Sequence, residues 1–84
     1  MMSFVPTEAR AQSVAFDREM MSVHFTDGRI LSVPLVWFSS LHRASPEQKE
    51  RVEITGGGRG LHWPDLDEDL SIAGLMAGVD QTAA

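Results

Sequence analysis

Gly60-Leu61-His62-Trp63-Pro64-Asp65-Leu66-Asp67-Glu68-Asp69-Leu70-Ser71-Ile72 starts as an alternating apolar stretch, crosses four carboxylates in five residues, and ends in an apolar segment. Leu61 and Trp63 alternate with His62, the period of a half-buried strand. Ile72, Leu75, Met76 and Val79 fall at helical spacing, although Gly74 and Gly78 weaken a helix there. Read this way, the stretch is a last strand followed by a terminal helix, with Asp69 or an earlier Asp as the N-cap. Acidic side chains suit that position because they accept from the free N–H groups of the first turn and oppose the helix dipole.

Upstream, the period of two recurs. Val14 and Phe16, then Met21, Val23 and Phe25, then Leu31 and Val33 alternate with smaller or polar neighbours. Asp17-Arg18-Glu19 is a short polar break, and Asp27-Gly28 between apolar runs is a strong hairpin signal, here of type I′ because that turn needs positive φ. Residues 11–33 are thus expected to form a three-stranded antiparallel meander. After Pro34 the period changes: Leu35, Phe38 and Leu41 recur every three residues, as on one side of a short helix. Ser45-Pro46-Glu47-Gln48 carries a capping box, with Ser45 as N-cap and Pro46 at the first helical position. Val52 and Ile54 resume strand alternation, and Gly56-Gly57-Gly58-Arg59-Gly60 reads as a permissive hairpin loop. The expected fold is α+β, in the order β-β-β-α-β-β-α: a single, mainly antiparallel sheet with short helices packed on one face.

Composition narrows the function classes. The 84 residues suit one domain, with a lead at residues 1–9, the folded part at 10–78 and a flexible tail at 79–84. A formal net charge of −5, with only seven scattered Lys and Arg, argues against direct binding to a nucleic-acid backbone. Without cysteine there is no disulfide framework, thiol nucleophile or Cys-type zinc site. No apolar run approaches the roughly 20 residues needed to span a bilayer. The first ten residues carry Pro6 and Glu8 and lack the apolar core of a secretion signal. A cytoplasmic location is expected.

Four blocks stand in order along the chain: Phe25-x-Asp27-Gly28-Arg29; Val33-Pro34-Leu35-x-Trp37-Phe38-x-x-Leu41; Ala44-x-Pro46-Glu47-Gln48; and Gly60-x-His62-Trp63-Pro64-x-Leu66-Asp67-Glu68-Asp69. Together they resemble the bacterial family catalogued as domain of unknown function 2442, over about residues 11–78. Trp63, Pro64, Asp67 and Asp69 carry the most specific part of the likeness. The resemblance implies a small α+β domain with no established catalytic activity. It also implies that some relatives carry a separate helix-turn-helix domain, which is not expected within this sequence, and that others are encoded beside a small partner in a toxin–antitoxin-like arrangement.

Each candidate site has a plain structural reading beside it. Asp65-x-Asp67-x-Asp69 begins like a calcium loop, but the turn glycine would fall on Leu70 and the bidentate glutamate on Met76. A helix start explains the acids better, and no metal ligand, catalytic residue or cofactor is assigned. The glycine run lacks the lysine and following helix of a phosphate loop. Trp37 and Trp63 stand among apolar residues and are expected in the core. His24 and His62 occupy off-phase strand positions, which sends them to the sheet face opposite the apolar set. Two short helices cover one face of a five-stranded sheet. The open face then carries His24, Ile30, Ser32 and His62, with Ser22 and Met20, as a partner-binding face or a solvated one.

The sequence therefore leads to a non-catalytic protein-interaction domain, the antitoxin-like or regulatory partner in a two-gene bacterial module, binding a protein or a second copy of itself. Two alternatives remain beside it. One is a phage-type acidic inhibitor of a nucleic-acid-binding complex. The other is a weak metal-dependent hydrolase using the Asp65–Asp69 cluster.

Overall fold

In a computed structural model, which describes residues 10–77, the chain forms six strands and three short helices. The expected lead at 1–9 and tail at 79–84 lie outside the described residues. Strands β1 (Ala11–Phe16), β2 (Met20–Phe25) and β3 (Ile30–Pro34) form one antiparallel sheet, in that order. A single 3-10 turn (Leu35–Trp37) leads to α1 (Ser39–Arg43) and α2 (Pro46–Glu50). Strands β4 (Glu53–Thr55), β5 (Gly60–Trp63) and β6 (Glu68–Ser71) form a second antiparallel sheet, and α3 (Ile72–Ala77) follows.

The α+β class is as expected, and the meander at 11–33 is present. The single five-stranded sheet is not. The difference arises in the acidic run. Pro64 takes the second position of a turn closed by the Leu66 N–H donating to the Trp63 carbonyl at 3.1 Å. Asp67 then adopts a φ of 52°, the left-handed region that Asp tolerates better than most residues. The chain reverses, and Glu68–Ser71 pairs back along β5, with Leu61 opposite Leu70 and His62 opposite Asp69. The carboxylates are therefore a hairpin and a strand rather than a helix start. The α3 start is served by Ser71, whose hydroxyl accepts from the Gly74 N–H at 2.9 Å.

The other turns carry their sequence logic with one change. Asp27-Gly28 makes a tight hairpin, but only Gly28 has positive φ (95°), so the turn is not type I′. The Gly28 N–H donates to the Phe25 carbonyl (3.0 Å) and the Phe25 N–H to the Arg29 carbonyl (2.9 Å), the pattern of a three-residue loop ending in a glycine bulge. In the first hairpin the Asp17 carboxylate accepts from the Glu19 and Met20 N–H groups, both at 2.8 Å. These bonds stabilise the ionised form and hold the Asp17 pKa below its ordinary value. At α2 the capping box closes as read: Ser45 Oγ accepts from the Gln48 N–H, and Gln48 Oε1 accepts from the Ser45 N–H.

One core serves both sheets. Met21, Val23, Phe25 and Val33 from the first sheet meet Leu35, Phe38 and Leu41, and Leu61, Trp63 and Leu70 from the second, with Ile72 and Leu75 of α3. The predicted helix at 35–41 is interrupted at Phe38, which is extended, yet Leu35, Phe38 and Leu41, the residues at its three-residue spacing, are all buried. Trp63 is 1% exposed and donates its indole N–H to the Lys49 carbonyl at 2.9 Å, fastening α2 to the second sheet. The two sheets join where the Ala11 N–H donates to the Gly58 carbonyl at 2.8 Å. There Gly58 has φ 101°, and an added Cβ would lie 2.9 Å from Arg10 Cβ and 3.0 Å from the Ala11 backbone. Only glycine lets β1 and the β4–β5 loop approach so closely.

Candidate interaction surface

The helices and the second sheet pack against the inner face of the first sheet, and its outer face is left without a covering element among the described residues. Its rows follow from the register. Ser13, His24 and Ile30 lie side by side, then Ala15, Ser22 and Ser32, then Met20 and Pro34. Ser22 and Ser32 share a hydroxyl–hydroxyl hydrogen bond of 2.8 Å. Beyond Pro34 the face continues into a shallow hollow lined by Arg18, Glu19, Met20, Pro34, Val36 and His42. Ile30 is 58% exposed and Val36 65%, large values for aliphatic side chains in an ordered domain. The middle row of this surface carries the small residues Ala15, Ser22 and Ser32, with His24 and Ile30 at one end and Met20, Pro34 and Val36 at the other.

His24, Ile30 and Ser32 therefore come together as expected. His62 does not join them. It stands on the outer face of the second sheet, where its Nδ1 lies 2.8 Å from Asp69 Oδ1. Glu53 is its register partner on the other side. The close contact with Asp69 follows from the ladder. The Ile72 N–H donates to the Arg59 carbonyl, so hydrogen-bonded pairing falls on alternate residues and leaves His62 and Asp69 as a non-hydrogen-bonded pair, whose side chains approach more closely. The His62 side chain is 30% exposed and that of Asp69 76%, so this contact is screened by solvent and worth at most about 1 kcal/mol.

The remaining acids diverge. Asp65 pairs with Arg51, and Glu68 turns inward to accept from Ser40 Oγ at 2.6 Å. Among the described residues no three His, Asp or Glu side chains converge to hold a metal ion. The glycine run of the β4–β5 loop is a hairpin: the Gly58 and Arg59 N–H groups both donate to the Thr55 carbonyl, so they are engaged within the loop. Trp63, Pro64, Asp67 and Asp69 together build the β5–β6 hairpin, so this signature has a structural explanation.

Trp37 departs from expectation: it is 42% exposed rather than in the core. The signal was present in the sequence. Leu35, Phe38 and Leu41 define the inward side of that segment, and Val36 and Trp37 are out of phase with them. Val36 and Pro34 were likewise absent from the expected face, because register beyond the strand end is set by how the 3-10 turn leaves the sheet.

Residues 11–81 match the family described as "Protein of unknown function (DUF2442)". Among solved structures, the chain is similar to a protein of unknown function from Rhodospirillum rubrum. Identity is 41%, covering 87% of this chain and 90% of that one, with a TM-score of 0.77. It is also similar to an uncharacterized protein from Chromobacterium violaceum at 27% identity, covering 82% of this chain and 65% of that one, with a TM-score of 0.71. No curated protein matches it. With the four sequence blocks lying on the hairpins, the capping box and the core just described, and the match spanning nearly all the described residues, the chain belongs to the DUF2442 family.

Proposed function

We propose that this domain is a non-catalytic, cytoplasmic protein-interaction module, the antitoxin-like or regulatory half of a two-gene bacterial module, and that its partner docks on the outer face of the first sheet. The observation that carries this reading is the face left uncovered among the described residues, with exposed Ile30 and Val36 flanking His24 and the Ser22–Ser32 pair. Apolar anchors around a small polar centre suit a modest protein interface, where a few well-placed aliphatic groups exclude water and hydroxyls fix the register. The net charge of −5 favours a basic partner and faster encounter with it. The two-gene arrangement draws its support from family resemblance alone.

The test is co-expression with the product of the neighbouring reading frame, followed by titration calorimetry on the purified pair. Val36→Asp places a charge in the proposed contact without touching the core, and is expected to weaken binding at least tenfold. A complex that forms with unchanged affinity in Val36→Asp and in His24→Ala refutes docking on this face. Absence of any complex refutes the two-gene reading.

A further inference from the structure

We propose that the outer edge of β3, unpaired among the described residues, pairs with β3 of a second copy, antiparallel about Ser32, to make a continuous six-stranded sheet. The ladder of the first sheet determines which backbone groups are available. The Phe25 N–H donates to the Arg29 carbonyl at one end, and the Leu35 N–H to the Glu19 carbonyl at the other. Alternation between these two anchors gives Leu31 and Val33 the bonds to β2. Ile30, Ser32 and Pro34 then direct their backbone groups away from β2. Pro34 agrees independently, since it has no N–H to give. No hydrogen bond from another described residue reaches the outward groups of Ile30 or Ser32.

That edge fits itself. With the two-fold axis at Ser32, each Ser32 N–H meets the Ser32 carbonyl of the other copy, and each Ile30 N–H meets the Pro34 carbonyl of the other copy. Four hydrogen bonds result, and the missing N–H of Pro34 leaves only the Ile30 carbonyl open. On the outer face Ile30 lies against Pro34 of the second copy, which covers part of a side chain that is 58% exposed in the single chain. The Ser22–Ser32 hydroxyl pairs of the two copies line up across the axis. Edge strands that stay single commonly carry lysine or an inward-pointing charge, and Ile30–Pro34 has no charged residue. A second copy is thus favoured over an unrelated strand by the symmetry of the register, and this edge pairing stands apart from docking on the face.

A strand-to-strand contact with so few side chains falls in the weak class, below about 1,200 Å². Sedimentation equilibrium of the full chain between about 10 µM and 1 mM is therefore expected to show a monomer–dimer equilibrium, as weak interfaces require. The Ile30 and Ser32 amides should exchange with solvent more slowly as concentration rises. Ser32→Pro removes an N–H that β2 does not use and is expected to weaken dimerisation at least tenfold. Ile30→Lys, at an exposed position that leaves the core intact, should do the same and serves where Ser32→Pro fails to fold. A chain that stays monomeric at the highest concentration with fast-exchanging edge amides overturns the proposal. A monomer with protected edge amides overturns it too, because the edge is then covered by its own chain. Dimerisation unaffected by either variant places the contact elsewhere and also overturns it.

Discussion

Gly58→Ala and Gly28→Ala form a matched pair that tests how the two sheets are joined. Both glycines have φ values that L side chains rarely adopt, 101° and 95°. Each alanine is therefore strained by about 1–3 kcal/mol, partly offset by about 0.4–1 kcal/mol from the stiffer unfolded chain. The surroundings differ. A Cβ at Gly28 has nothing within 4 Å, whereas one at Gly58 falls 2.9–3.0 Å from Arg10 Cβ and the Ala11 backbone. Carbon contacts are comfortable at about 3.5–4.0 Å, so the start of β1 has to move. Moving it stretches the Ala11–Gly58 hydrogen bond, worth about 0.5–1.5 kcal/mol net. Gly58→Ala is therefore expected to cost about 1–2 kcal/mol more than Gly28→Ala, with the strain common to both cancelling. Urea unfolding followed by fluorescence of the buried Trp63 gives both values, read at constant m. Equal costs within about 0.5 kcal/mol, the usual scatter of surface substitutions, would refute the idea that close approach of the two sheets makes Gly58 necessary.

Trp63→Phe removes the indole donor and leaves the Lys49 carbonyl without its partner, at an expected cost of about 1–3 kcal/mol plus a packing loss; circular-dichroism melts should show it, and an unchanged midpoint would contradict the anchoring of α2. Asp17 titrates below its ordinary value of 3.8 because two backbone N–H groups favour its ionised form, so its contribution is present above that pH and lost as pH falls through the depressed value. Asp17→Asn is then expected to give a shallower loss of stability on acidification below about pH 4, measured as urea midpoints at neutral and acid pH; parallel curves for the two proteins would count against the turn bonds.

Much of this domain was legible from residue order because the signals are local. The meander follows from period-two alternation, although its Asp27-Gly28 turn is a glycine-bulge loop and not the expected type I′, and α2 follows from Ser45, Pro46 and Gln48 acting on their own first turn. Leu35, Phe38 and Leu41 were readable as core even though the helix assigned to them breaks at Phe38, since burial depends on phase more than on helix type. On the candidate surface, His24, Ile30 and Ser32 share a face because alternation and hairpin register are short-range properties.

The acidic run marks where local reading stops. Charged residues disfavour strand, and nothing within Asp65–Asp69 announces a reversal except Pro64 and one Asp that can accept positive φ. The energy that decides it is non-local: Leu70 is buried opposite Leu61, Trp63 is held by Lys49, and Ile72 bonds back to Arg59. Those contacts divide the expected single sheet into two, and they carry His62 away from His24. The sequence alone determined the α+β class, the three-stranded meander, the β4–β5 hairpin, the capped helix and the family. Tertiary packing decided the number of sheets, the exposure of Trp37 and the membership of each outer face, because each depends on partners far apart in the chain.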